Sequence, residues 1–252
     1  MTEPQIMRGA EPFYFEGGDV GCLVSHGFTG TTQSMRFLGE FLANEGQLTV
    51  CGPRLKGHGT SVEDMARSSA KDWIRSVEAG LQKLRQRCSR IFMTGLSMGG
   101  TLTLYMAAMY PDVIRGAIPI NGAVFINNPD LAGLTFMAEA PASVPGVGGD
   151  IKKPGVTELA YQDVPVPAIR QIYALMSVTR ELLPRVNCPT LVIQSRDDHV
   201  VVPENAPYII DNIGAQDKRL LWLENSYHVA TLDHDKELIA GEILKFVQSH
   251  MS

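Results

Sequence analysis

The chain has 252 residues, 44% hydrophobic and 19% charged, a composition ordinary for a globular protein and sufficient to bury a core without disulfides or metals. The net charge of -5 is spread without a basic stripe or a block of like sign, which argues against a nucleic-acid partner. No run of about 18 apolar residues occurs, so no membrane insertion is expected, and the opening MTEPQIMRGAEPF has no apolar leader, so a cytoplasmic protein is expected.

In chain order, short apolar runs alternate with amphipathic stretches. Val20 to Ser25 reads as a strand, Arg36 to Ala43 as a helix and Leu48 to Cys51 as a strand. Lys71 to Gln86 carries Trp73, Ile74, Val77, Leu81 and Leu84 at intervals of three and four, the spacing of a helix with one buried face. Arg90 to Thr94 is a strand, Met98 to Tyr110 a helix that stops before Pro111, and Val113 to Ile120 a strand. Strand Thr190 to Ser195, helix Glu204 to Ile213, strand Leu220 to Leu223 and a helix from Asp235 to Gln248 complete the pattern. Strand–helix alternation implies right-handed crossovers and a mostly parallel sheet covered on both faces, an α/β fold.

The rhythm breaks between Asn121 and Arg185. No strand candidate occurs there, and Pro and Gly are frequent. A structureless loop of that length is improbable without a function. The segment is expected to be an inserted cap of short helices over residues 122–185, with residues 1–121 and 186–252 forming the core. Its apolar residues Phe125, Leu131, Phe136 and Met137 are candidates to contact a bound substrate.

Cys22, Cys51, Cys88 and Cys188 form no CxxC pair, so they read as reduced structural thiols with no metal site. Neither GLSMGG nor HGFTG has the lysine or the spacing of a nucleotide-binding loop, so no cofactor is expected.

Gly95-Leu96-Ser97-Met98-Gly99 fits G-x-S-x-G between a strand and a helix. The turn there must be sharp enough to lift the Ser97 hydroxyl clear of the sheet edge. A serine hydroxyl needs a base, and in this arrangement the acid and then the histidine follow it in the chain. That removes His26 and His58. His228, in the loop after the last strand, is the expected base, with His199 as the fallback; His234 is expected to be exposed and His250 lies at the terminus. The acid follows TLVIQS, where spacing leaves Asp197 and Asp198 equivalent; Asp211 and Asp233 are weaker candidates. The N–H groups of Phe28, in Ser25-His26-Gly27-Phe28-Thr29-Gly30, and of Met98 suit an oxyanion hole, with His26 bracing the loop.

With these residues in place the chain resembles bacterial carboxylesterases and monoacylglycerol lipases of the α/β-hydrolase superfamily. The resemblance rests on PFYFEGG, HGFTGTTQSMRFLGEFLA, RLKGHGT, GLSMGG, QSRDDHVVVPENA and SYHVATLDHDKE, and spans nearly the whole chain outside the cap. It implies an α/β-hydrolase fold with a small helical cap, and an Asp two residues after the Arg and two before a Val, here Asp198. It supports Ser97, His228 and the Phe28 and Met98 N–H groups. Tyr227 departs from relatives that carry Gly before the histidine, and is expected to reshape the pocket mouth. The implied activity is hydrolysis of small ester or lipid substrates: short- to medium-chain acyl esters or monoacylglycerols, through an acyl-enzyme. Alternatives are a triglyceride lipase, a triad enzyme acting on thioesters, amides or C–C bonds, and a binding protein on an inactive scaffold.

Overall fold

The computed structural model describes residues 4–251, so the first three residues of the stretch read above for a leader lie outside it. A seven-stranded sheet runs through the centre. In chain order come β1 (Phe13–Phe15), β2 (Val20–Ser25), α1 (Gln33–Gly46), β3 (Thr49–Gly52), α2 (Val62–Ala66), α3 (Ala70–Arg85), β4 (Arg90–Leu96), α4 (Met98–Met109) and β5 (Ile114–Ile120). After them follow α5 (Pro129–Leu134), β6 (Ser143–Pro145), β7 (Asp163–Pro165), α6 (Val166–Leu182), β8 (Thr190–Ser195), α7 (Asn205–Asn212), β9 (Lys218–Leu223) and α8 (Lys236–Ser249). The central order is β1-β3-β2-β4-β5-β8-β9; β1 is antiparallel to β3 and the other pairs are parallel.

Because side chains alternate along a strand, each strand feeds two cores. Leu23 and Met93 meet α3 and α4 on one face, with Trp73, Val77, Leu81 and Leu102. Cys22, Val24 and Phe92 point the other way, into a second core with Met35, Leu38 and Leu42 of α1 and Ile239, Ile243 and Phe246 of α8. α3 shows how the sequence sets this up. Ser69 and Asp72 close a reciprocal capping box at its start, a device worth about 1 kcal/mol. Burying Trp73, Val77, Leu81 and Leu84 on its inner face contributes roughly 1.5–3 kcal/mol each.

Some elements differ from the sequence-based expectation. Each strand of the β6–β7 hairpin is three residues long, and both end on proline, a residue that usually marks non-strand; their pairing across about twenty residues leaves no periodic trace. α6 is a full 17-residue helix rather than a short one; it packs against α4, α3 and α2. β9 begins at Lys218 because the exposed Lys218 and Arg219 occupy an edge strand, where charge guards against further pairing. The four cysteines are free. No helix among the described residues is long and apolar enough to cross a membrane.

Candidate active site

Four loops at the C-terminal edge of the sheet build the site. The first is the turn from β4 into α4. Ser97 sits there with φ 56° and ψ -117°, a conformation that costs a residue with a Cβ on the order of 1–3 kcal/mol. Glycines make the turn feasible. A Cβ on Gly95 would collide with the Gly99 carbonyl, and one on Gly99 with the Ser25 carbonyl, so strand, turn and neighbouring strand meet backbone to backbone. The Ser97 N–H donates to the Ile120 carbonyl at 2.8 Å, which ties the turn to β5. The Ser97 hydroxyl makes no hydrogen bond among the described residues and faces a cavity.

The second loop follows β2. His26 is wholly buried; its Nε2 accepts from the Leu55 N–H at 3.1 Å, so its Nδ1 carries the proton and donates to the Gly27 carbonyl at 2.9 Å. Burial pushes the His26 pKa down to about 4 and that of neighbouring His58 to about 3, so both rings are neutral braces. The Phe28 ring packs edge-on against Trp73 at 5.7 Å. A Cβ on Gly27 would lie 3.2 Å from that of Ser97, so what this position needs is room; the left-handed φ in the loop falls on Thr29 at 63°. Phe28 and Met98 both line the cavity beside Ser97. Met98 opens α4, where N–H groups have no acceptor inside the helix and carry partial positive charge.

The third element joins the loops after β8 and β9. His228 Nδ1 lies 2.9 Å from Asp198 Oδ2, and both residues are buried. Asp198 Oδ1 accepts the Val200 and Val201 N–H groups at 2.9 and 2.8 Å, and Gln194 Nε2 donates to Oδ2 at 3.3 Å. These bonds aim the carboxylate at the ring and leave His228 Nε2 for the cavity. Burial is the largest influence on the His228 pKa and lowers it. The charge and hydrogen bond of Asp198, joined by the charges of Glu158 and Asp150, outweigh burial, and the net pKa is raised. Asp197 points outward to Lys152 at 3.7 Å, and His234 is exposed.

The loop that carries His228 has no regular structure, so side chains hold it. Asp233, wholly buried, accepts the N–H groups of Tyr227, His234, Lys152 and Lys153. Asn121 Nδ2 donates to the His228 carbonyl at 2.7 Å. Tyr227 does not itself line the cavity; its ring packs against His199, which does, with centroids 4.5 Å apart.

Ser97 and His228 share one cavity of about 290 Å³. Its wall is largely apolar, with Ile126, Leu131, Val144, Ile169, Ile172 and Met176. Of the four apolar residues expected to contact a bound substrate, Leu131 lines this space. The other three do not line it. Phe125, before α5, packs edge-on against Tyr208 at 5.5 Å, and Phe136 and Met137, past the end of α5, are 93% and 49% exposed. A residue not anticipated from the sequence is Glu158, whose carboxyl lines the cavity and is pushed up in pKa by burial. Nothing near it in sequence marks it out. Among the described residues no cluster of three or more His, Cys, Asp or Glu side chains could hold a metal.

Residues 22–241 match the alpha/beta hydrolase family. The chain is 50% identical over 246 residues to a thermostable monoacylglycerol lipase of Bacillus sp. (strain H-257), covering 97% of each. It is 30% identical over 241 residues to a carboxylesterase of Bacillus subtilis (strain 168), covering 94% of this chain and 96% of that one. Among solved structures, one described with LipS and LipT, two metagenome-derived lipolytic enzymes, superposes with a TM-score of 0.96 at 54% identity, covering 98% of this chain and 100% of the other.

Proposed function

The chain belongs to the alpha/beta hydrolase family, and on that premise we propose that it is a serine carboxylic-ester hydrolase whose preferred substrates are monoacylglycerols and short- to medium-chain esters. The observation that carries this reading is the shared apolar cavity, with the Ser97 hydroxyl on its floor and the Asp198-oriented imidazole of His228 in its wall. His228 takes the Ser97 proton as the oxygen attacks the ester carbonyl. The Phe28 and Met98 N–H groups hold the oxyanion. The alcohol departs with the proton from His228, and water then cleaves the acyl-enzyme by the reverse transfers. Residues 122–185 act as the cap, since Leu131, Val144, Ile169 and Ile172 supply much of the apolar wall. Glu158 gives that wall a polar point at which hydroxyls of a glycerol headgroup can bond.

A series of p-nitrophenyl esters of rising chain length, run beside monoolein and tributyrin, tests the substrate class. Monoolein and the shorter esters should be cleaved well and tributyrin poorly, because a cavity of about 290 Å³ has little room for further acyl chains. Faster turnover of emulsified tributyrin than of monoolein would make the enzyme a triglyceride lipase instead. Absence of labelling by a fluorophosphonate would make it a binding protein.

The raised pKa of His228 sets the pH response. The base works only when neutral, so kcat/KM should fall as pH drops through that pKa, with the acidic limb centred above the ordinary histidine value of 6.5. A flat profile from pH 5 to 8 contradicts His228 as the base.

A further inference from the structure

Within the esterase reading, on which this inference rests, one carboxylate outside the Ser97–His228–Asp198 set touches both loops that carry the acid and the base. Asp150 follows the glycine-rich turn after β6, and only 14% of its side chain is exposed. Its Oδ2 accepts the N–H of His228 at 3.1 Å and that of His199 at 3.2 Å, and its Oδ1 lies 2.9 Å from His199 Nδ1. Its own carbonyl accepts the Val229 N–H at 3.0 Å. His199 is the residue after the acid, Asp198. The peptide groups flanking His228 are thus held from two sides, the N–H by Asp150 and the carbonyl by Asn121.

We propose that Asp150 is a positioning residue for the catalytic base: its carboxylate fastens residues 122–185 to the acid and base loops at once, so that the imidazole is aligned only when that segment is docked. The physical need is plain. A loop without regular hydrogen bonding leaves its N–H groups to be satisfied by side chains, and a displacement of about 1 Å in a base can cost on the order of a hundredfold in rate. The charged groups facing His228 are Asp198, Glu158 and Asp150, and His199 faces Asp150 in turn. Removing the Asp150 charge therefore leaves less negative potential at the imidazole.

The test compares Asp150→Ala and Asp150→Asn with wild type by kcat, KM and the pH profile on p-nitrophenyl butyrate. Asn keeps an oxygen that can accept the His228 N–H but loses the charge. It should hold kcat within about threefold, with the acidic limb moved to lower pH. Ala loses both, and kcat should drop about tenfold to a hundredfold with KM little changed. Wild-type kcat and an unmoved limb in both variants would overturn the proposal, as would a loss in Asn equal to that in Ala. Should Asp150→Ala not fold, the position of the acidic limb in Asp150→Asn decides alone. Fluorophosphonate labelling of the wild-type enzyme at Ser97 is read separately. Without it the nucleophile assignment falls; with it, inert Asp150 variants sink only the positioning role.

Discussion

Ser97→Ala should fold as wild type does and lose turnover by a factor on the order of 10⁵–10⁶ in kcat. The Ser97 hydroxyl makes no hydrogen bond among the described residues, so deleting it orphans no partner. Alanine is as ill at ease as serine at φ 56°, so the backbone cost is unchanged and stability should move by less than about 0.5 kcal/mol. What disappears, on the proposed mechanism, is the atom that forms the acyl bond. The N–H groups of Phe28 and Met98 remain, and can still polarise a carbonyl toward water, which accounts for a small residual rate. Ser97→Gly sharpens the point. Glycine adopts this conformation freely, so that variant should be more stable than wild type by about 1–3 kcal/mol while equally inactive. Activity and melting curves of the two variants check both halves, and a folded Ser97→Ala enzyme with near-wild-type esterase activity would refute the assignment.

The contrast between Ser97 and the rest of the site explains what was legible in the sequence. Strand, G-x-S-x-G and helix are contiguous, so the whole environment of the proposed nucleophile is written within about twenty residues. The alternating order of β2, β4, β5 and β8 was readable for the same reason, since each is a compact apolar run. Choosing between Asp197 and Asp198 was different. Both follow the same strand, spacing left them equal, and the resemblance favoured Asp198. In the structure, Asp198 folds back on the Val200 and Val201 N–H groups and so turns inward, while Asp197 is left to Lys152 at the surface.

Asp150, Asn121, Asp233 and Glu158 were not legible in these roles. The first reaches His228 across 78 residues and the second across 107. Asp150 and Glu158 lie in the Gly- and Pro-rich segment, where neither period 2 nor period 3.6 marks a buried face. Local pattern reports burial; it does not report which distant N–H a carboxylate will meet. The same limit applies to Phe136 and Met137, which do not line the cavity. Their apolar character was clear, but the direction they face depends on where a six-residue helix ends.

Asp198→Asn should lower kcat by about 10⁴ with the fold kept, although the two side chains are nearly the same shape. The amide oxygen can replace Oδ1 and go on accepting the Val200 and Val201 N–H groups. The amide nitrogen then occupies the place of Oδ2, 2.9 Å from His228 Nδ1, and presents N–H where an acceptor stood. The imidazole answers by placing its proton on Nε2, the nitrogen proposed to receive the Ser97 proton. A base with that nitrogen already occupied cannot act, and the imidazolium of the transition state also loses its counter-charge. Because Asp198 raises the His228 pKa both by charge and by hydrogen bond, the acidic limb of whatever activity remains should move to lower pH. Loss of kcat with KM preserved, together with that displaced limb, identifies Asp198 as the orienting acid. A loss of less than about tenfold would instead point to a carboxylate other than Asp198 as the one that orients His228.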